Sequence, residues 1–404
     1  MSACRAAVAA LMLAGLAGAA LPAAAQDSRA AVIAAAQAEK ARRLRPYTPT
    51  AIERIVDKVE RGAWLDPVGL HGVHPTFRSV LPGGGFTMGL GWRYFTGYAS
   101  HLDLHASYSM HGYRAFEARA ASPRLAGDRL DVAARAGWRD VTRVGYFGLG
   151  TSSAAEAKAA FGLQTAYVEG GVTWRPARRA FVSGAVGYEV NREHAGDGFA
   201  PSIETRFDAT TAPNLGADPA YVRAQVDAGF DWLASPGYSR RGGLIRVGHD
   251  YYLPAAGTGG RSFGVGHVEV VQHLPILRET WVLSLRGRGD SVTGDQAAAP
   301  YFLLPSLGSA TTLRAYEPFR FRDLHAMLFT AEWRWTPNRA ALDVALFADA
   351  GAAASRRRDF RPGAARTDVG VGLRFHTLSS TVLRLDLARG SEGWRFVFTN
   401  AAAF

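Results

Sequence analysis

The chain has 404 residues, enough for one large domain or two ordinary ones, and far too many for a small scaffold held together by disulfides or a metal. Charged residues make up 20%, aromatics 11%, and there are 45 glycines, a balance that excludes both a disordered chain and an apolar helical bundle. The formal net charge of +11 rests on arginine, since the only lysines are Lys40, Lys58 and Lys158, and the arginines are dispersed rather than blocked, which argues against a nucleic-acid partner.

Residues 1–25 read as a secretory signal: Arg5 supplies the positive start, Ala6 to Ala20 an apolar run, and Ala23-Ala24-Ala25 a small-residue cleavage site, so the mature chain is expected to begin at Gln26. Cys4, the single cysteine, falls inside this leader without a lipobox, which leaves the mature chain no thiol for a disulfide, a metal or a nucleophile. Asp27 to Arg43 is alanine-rich and helix-forming. Pro46 and Pro49 interrupt it, and Thr50 with Glu53 makes a capping box for a second helix at 50–62 whose Ile52, Ile55, Val56 and Val59 share one stripe. Residues 26–82 are expected to be a short helical segment and linker. Past the leader no run of about 18 apolar residues exists, so no membrane helix is expected; a membrane barrel is untouched by that test, because alternating strands average to neutral hydropathy.

From Gly83 to the end the period changes to two. About fourteen alternating runs bounded by turn residues stand near 84–97, 101–122, 128–143, 161–175, 180–191, 220–234, 242–254, 261–274, 279–290, 322–336, 340–351, 366–376, 380–389 and 392–400. Phe329, Trp333 and Trp335 share one parity and Thr330, Glu332 and Arg334 the other; Val369, Val371, Leu373 and Phe375 oppose Gly370, Gly372 and Arg374; Trp394, Phe396 and Phe398 oppose Arg395 and Thr399. A secreted sandwich also alternates. The loops favour a barrel: strands that run strictly up and down put the long insertions 191–219, 291–321 and 352–365 at one end and the tight links 122–127, 175–179 and 336–340 at the other. Trp174, Trp333 and Trp335 then lie beside the short turns, where a membrane-interface girdle would have them. Phe404, with the parity of Phe396 and Phe398, ends the chain on an aromatic carboxyl terminus of the kind delivered to barrel-assembly machinery. The expectation is an all-β, transmembrane antiparallel barrel over 83–404, in the outer membrane, with lipids and lipopolysaccharide as its surroundings.

Candidate chemistry is sparse. His101, Asp103 and His105 share a face, but four residues apart on a strand, roughly 13 Å at about 3.3 Å per residue, the histidines stand too far from each other to share one ion. Gly260-Arg261-Ser262-Phe263-Gly264 fits a nucleophile pattern yet leads into a strand, not a helix. Gly83-Gly84-Gly85 likewise precedes a strand and cannot cradle phosphate; it reads as a flexible start to the first strand. No catalytic set, metal site or cofactor is expected. Parity places Glu332, Asp349, Arg374, Arg384 and Asp386 on the inward face, and the loop 291–321 is long enough to fold back into the lumen and pair Arg314 with Asp349 or Glu332 through a charge-assisted contact. The bland alternative is a wet lumen whose charges pair locally.

The final third carries a resemblance. Leu313-Arg314-Ala315-Tyr316, preceded by Leu304-Pro305-Ser306-Leu307-Gly308, is similar to a hydrophobic-Arg-Gly-aromatic loop tip with Ala315 in place of glycine; Ala331-Glu332-Trp333-Arg334 resembles a Glu-aromatic-Arg strand. Phe347-Ala348-Asp349-Ala350-Gly351 matches F-x-D-x-G, and Gly370-Val371-Gly372-Leu373-Arg374 matches G-x-G-x-R ahead of Arg384-Leu385-Asp386. In this order, and with terminal Phe404, they resemble the BamA/TamA-like surface-antigen superfamily of outer-membrane barrels, which includes two-partner-secretion transporters. The resemblance implies sixteen strands, to be reconciled with fourteen by a hairpin inside 191–219, and a member without POTRA repeats. It implies a loop-tip arginine locked onto strand carboxylates, and assembly, insertion or translocation of a polypeptide or lipid cargo through the lumen or the seam between first and last strands. The helix at 50–62 would sit at the periplasmic mouth. A different reading is a passive pore in which Arg286, Arg288, Arg374 and Arg395 favour anions.

Overall fold

The computed structural model describes residues 31–37, 39 and 71–404, apart from 98, 199, 236, 258–259, 278, 338–341, 377–380 and 400–403. The signal at 1–25 and the helix at 50–62 lie outside these residues; of the N-terminal segment, residues 31–37 are helical, as the alanine-rich composition expects.

The rest is one large sheet and one two-stranded pair. The first half of the large sheet comprises β1 (Gly72–Thr76), β2 (Thr87–Phe95), β3 (His101–Ser109), β4 (Arg114–Arg124), β5 (Leu130–Tyr146), β6 (Ala159–Trp174), β7 (Ala180–Ala195) and β8 (Ala220–Asp231). Then follow β9 (Gly242–Pro254), β10 (Phe263–Ile276) and β11 (Trp281–Gly294), and, after two short strands within a loop, β12 (Ser306–Leu307) and β13 (Phe321–Arg322), come β14 (His325–Trp335), β15 (Leu342–Ala354), β16 (Arg366–His376), β17 (Thr381–Gly390) and β18 (Gly393–Thr399). Apart from β11, which pairs with β14 across the loop that holds β12 and β13, every sheet neighbour is the next strand along the chain, so sixteen strands form a single antiparallel meander, with β12 and β13 pairing only each other. Phe86, just ahead of β2, and Phe398 of β18 bring their rings to 6.4 Å between centroids, so the two edges of the sheet meet. Among the described residues no ladder joins β18 to β1 or β2.

Sixteen differs from the fourteen read in the sequence in two places, and neither is inside 191–219. The run 101–122 is two strands, β3 and β4, reversed at Met110–Tyr113 around Gly112 with φ +81°. The sheet also begins at Gly72, ahead of the expected boundary at 83, with β1 pairing Gly72 to Arg93 and Thr76 to Gly89. Pro75 within β1 hides the strand from pattern reading, since proline cannot donate to a ladder and is confined to edges such as this one. Between β7 and β8, instead of a hairpin, the described residues hold one short helical turn at Ile203–Thr205 and a bridge from Ser202 to Ala160. Nor is Gly83-Gly84-Gly85 a flexible strand start: it lies in the β1–β2 loop, where a side chain on Gly84 would collide with the buried Tyr113 ring.

The inner and outer faces are inverted relative to a water-soluble protein. Outward positions are apolar and bare, among them Val226 (58% exposed), Phe329 (57%) and Phe396 (63%), whereas inward positions carry Arg, Asp, Glu and Thr that are buried. Bare apolar side chains facing hydrocarbon, with backbone groups satisfied strand to strand along the meander, are the arrangement a bilayer requires. Trp174, Trp335 and the Trp281–Trp333 pair (4.4 Å between centroids) stand at the short-turn end, forming an aromatic belt.

Candidate functional site in the barrel lumen

Between β11 and β14 the chain runs back into the lumen, carrying β12 and β13 with it. Leu313, Arg314, Ala315 and Tyr316 are buried there, and Arg314 is only 1% exposed. Arg314 Nε donates to Asp349 Oδ2 at 2.9 Å and its Nη2 to Asp349 Oδ1 at 3.3 Å, a fork-to-fork pair, while Nη1 donates to Glu332 Oε2 at 2.8 Å and lies 3.5 Å from Asp386 Oδ2. Arg374 holds the same Glu332 Oε2 at 2.8 Å and also donates to Asp386 Oδ1; Arg384 Nε lies 3.3 Å from Asp386 Oδ2 and its Nη2 donates to the Ala310 carbonyl. The structure thus gives Arg314 both carboxylates that the sequence offered as alternatives. It also adds a group the sequence reading missed: Asp368 of β16 accepts the Ala315 N–H at 3.1 Å.

The sequence motifs around this cluster are explained by space as much as by charge. The Arg314 guanidinium lies 3.7 Å from the Phe347 ring centre, so Phe347 faces inward beneath the cation that Asp349, two residues on, grips from the side. A side chain at Gly370 would collide with the Phe347 ring, and one at Gly372 with the Asp386 carboxylate and the Arg374 guanidinium; the two glycines of G-x-G-x-R are the room in which the lock is built. Gly351 leaves space for Leu307, with a would-be Cβ 2.9 Å from its Cδ1. Ala315 serves in place of glycine because its backbone is not in the left-handed region, and its Cβ packs over Gly390, where a Cβ would also meet the Tyr316 ring at 2.9 Å. The Tyr316 hydroxyl donates to the Thr367 carbonyl (3.1 Å) and accepts the Ser391 N–H (3.3 Å).

The remainder of the loop is fastened further round. Arg320 donates to both carboxylate oxygens of Glu392 (2.9 and 3.0 Å) and to Ser153 Oγ and carbonyl (2.8 and 2.7 Å), with its guanidinium over Phe147 and Phe321. Arg322 is wholly buried, donating to the Tyr301 carbonyl at 2.7 Å, and burial pulls its pKa down to about 10; burial pushes the neighbouring Asp323 carboxyl upward.

A second obstruction, without a signal in the sequence, comes from the opposite end. The β8–β9 turn, 232–241, reaches across the lumen: Tyr238 stacks on His376 of β16 at 3.9 Å between centroids, Arg240 Nη2 donates to Thr336 Oγ1 (2.8 Å) and reaches Asp343 of β15 (3.3 Å), and Arg334 of β14 donates to the Ser239 carbonyl at 2.6 Å. Phe404 departs from its expected place. Instead of continuing the outward parity of Phe396 and Phe398, its ring stacks 5.9 Å from that of His273, near Arg286, inside the lumen. His101, Asp103 and His105 form ordinary lumenal pairs, Asp103 held by Arg93 Nη2 at 2.9 Å and His105 3.4 Å from Glu117; among the described residues no group of three or more metal-ligating side chains is poised for an ion.

No family model matches the sequence, and no curated protein matches it. Solved structures do. The crystal structure of BamA from Haemophilus ducreyi lacking POTRA domains 1–3 superimposes with a TM-score of 0.60 at 13% identity, over 87% of this chain and 78% of that one. CdiB from Acinetobacter baumannii superimposes with a TM-score of 0.50 at 12% identity, over 78% of this chain and 56% of that one, so the chain spans little more than half of CdiB. With its single antiparallel meander and no helix long and apolar enough to span a bilayer among the described residues, the chain has the fold of the BamA-like outer-membrane β-barrels.

Proposed function

We propose that this protein is an outer-membrane factor for the assembly, insertion or translocation of a polypeptide or lipid cargo, exported by the signal at 1–25 and cleaved after Ala25, and that its working surface is the seam between β18 and the first strands. The observation that carries this reading is that two segments enter the lumen from opposite ends. A loop fixed by Arg314 from one end and the turn at Tyr238 from the other both enter the lumen, which favours the seam, where no ladder joins β18 to the first strands among the described residues, over the passive anion pore. The likeness to BamA and CdiB supports it. Cargo would engage barrel edge and lipid rather than an active site, so the reading assigns no catalytic step, no metal and no cofactor, and names barrel-assembly machinery and membrane lipids as partners.

The test uses the missing thiols. With Cys4 in the leader, Phe86→Cys and Phe398→Cys give the mature protein one thiol pair across the seam, at positions whose native rings stand 6.4 Å apart. Bridging them with a short bis-maleimide is expected to abolish insertion of a model barrel substrate into liposomes containing the protein, while the unbridged variant stays active. Full activity of the bridged protein would overturn the seam route.

A further inference from the structure

The basic charge of the long-loop end is concentrated in one place. The β15–β16 loop, 355–365, carries Arg356, Arg357, Arg358 and Arg361 against a single acid, Asp359, whereas the other segments at that end (77–86, 110–113, 147–158, 196–219, 255–262, 295–324 and 391–392) together carry seven Lys or Arg against nine Asp or Glu. Three of those seven, Arg314, Arg320 and Arg322, are buried, but all four arginines of 355–365 are exposed. Their backbone is set by two successive short turns, the Asp359 N–H donating to the Arg356 carbonyl at 3.0 Å and the Ala364 N–H to the Arg361 carbonyl at 2.9 Å. Asp359 is close enough to the buried Asp323 carboxyl to help push it upward, and no side chain among the described residues pairs with the guanidiniums of Arg356, Arg358 or Arg361.

Parity decides which side of the wall this loop covers. Arg357 Nη2 donates to Ser291 Oγ at 2.9 Å, and the same hydroxyl meets His325 Nδ1 at 2.7 Å. Ser291 and His325 oppose each other in the β11–β14 register, and both point outward: Val292, next to Ser291, is buried on the inner face, and His325 has the parity of the bare Phe329 rather than of the buried Ala326 and Leu328. The loop is thus fixed over the outer surface of the barrel, not over its lumen. Phe329 follows His325 by four residues, roughly 13 Å along the strand, and Val369 of β16 is bare as well, so the free cations stand where the hydrocarbon band gives way to headgroups. A guanidinium grips phosphate oxygens as a fork, several of them on one loop suit a headgroup with more than one phosphate, and the uncharged outward wall below suits acyl chains. The long loops of an outer-membrane barrel face the outer leaflet. We infer that the loop 355–365 is a binding site for the phosphorylated, acylated sugar headgroup of lipopolysaccharide, with Arg356, Arg358 and Arg361 holding phosphate and Arg357 fixing the loop to the outer wall through Ser291. The site rests on the chain lying in the outer membrane but not on the seam route, and its test reads lipid rather than transport.

Purified full-length protein in detergent micelles is titrated with diphosphorylated lipid A or with the same lipid after removal of both phosphates, and retained lipid is counted by native mass spectrometry. The diphosphorylated form is expected to be retained and the dephosphorylated form lost. Arg356→Ala, Arg358→Ala and Arg361→Ala combined should weaken retention about tenfold or more, since each basic side chain near an anionic lipid surface contributes a few-fold, and the triple lysine variant should keep most of it. Each protein is first tested for the gel mobility shift of a folded barrel on heating; a parent protein without that shift would defeat the barrel reading itself, whereas a shift without retention of lipid A would defeat the site alone. Equal retention of both lipids, or undiminished retention in the triple alanine variant, would overturn the site. Displacement of lipid A by equimolar inorganic phosphate or by heparin would overturn the lipid assignment, the first in favour of a free anion and the second in favour of a soluble polyanion.

Discussion

Replacing Arg314 by alanine is the sharpest probe of the lumen. The side chain is 1% exposed and compensates Asp349 and Glu332, both about as buried, with Asp386 at 3.5 Å. Glu332 keeps Arg374 when Arg314 is lost, whereas Asp349 loses its bidentate partner and stands beside Asp368, which pairs with it in register across β15 and β16. Removing one member of a buried pair costs about 3–5 kcal/mol because the other is left uncompensated, and the guanidinium–Phe347 contact at 3.7 Å adds about 1 kcal/mol. The loss is bounded by undocking of the loop, which readmits water to the carboxylates, so about 3–4 kcal/mol is expected. Asp349→Ala should cost a similar amount, and the double variant only slightly more than either, since each single change already breaks the same contact. Arg314→Lys should fall in between, because an ammonium keeps the charge but cannot span Asp349 and Glu332 as a fork. Urea unfolding of protein refolded in liposomes, followed by tryptophan fluorescence and by the heat-dependent gel shift, measures all four. Single changes that each cost under about 1 kcal/mol, or costs that add in the double variant, would refute the lock.

Two further outcomes follow from packing. Gly370→Ala should destabilise the barrel by about 1–3 kcal/mol by driving a Cβ into the Phe347 ring, and Phe347→Leu should recover part of that loss in the same urea assay. Tyr238→Ala combined with Arg240→Ala frees the short-turn obstruction while leaving the Arg314 cluster intact; single-channel recordings in planar bilayers should show larger and more frequent openings than the parent protein, and unchanged traces would show that the turn does not obstruct the lumen.

The lumen was more legible in the sequence than the strand count. Period-two parity alone puts Glu332, Asp349, Arg374, Arg384 and Asp386 inside, and the length of the preceding loop lets Arg314 reach them, because both follow from strand geometry. The reversal at Met110–Tyr113 leaves the alternation nearly unbroken, with Gly112 as its only mark, so β3 and β4 read as one run. β1 is hidden by Pro75. The turn at Tyr238 and the placement of Phe404 depend on contacts with strands far along the chain, which no local pattern encodes. Phe347 is an intermediate case: its parity with Asp349 shows that it faces inward, but not that it lies beneath the arginine.

The fastening of Arg320 sets an order of events on the folding chain. Its guanidinium is satisfied only when Ser153, 167 residues earlier, and Glu392, 72 residues later, have both reached the same spot. Contacts this distant in sequence form last, after the loop-closure entropy of the intervening strands has been met. The loop therefore docks once the sheet has curled far enough to bring its early and late portions together, and a partly rolled sheet keeps the loop outside. The same buried arginine that steadies the finished barrel thus reports on its completion.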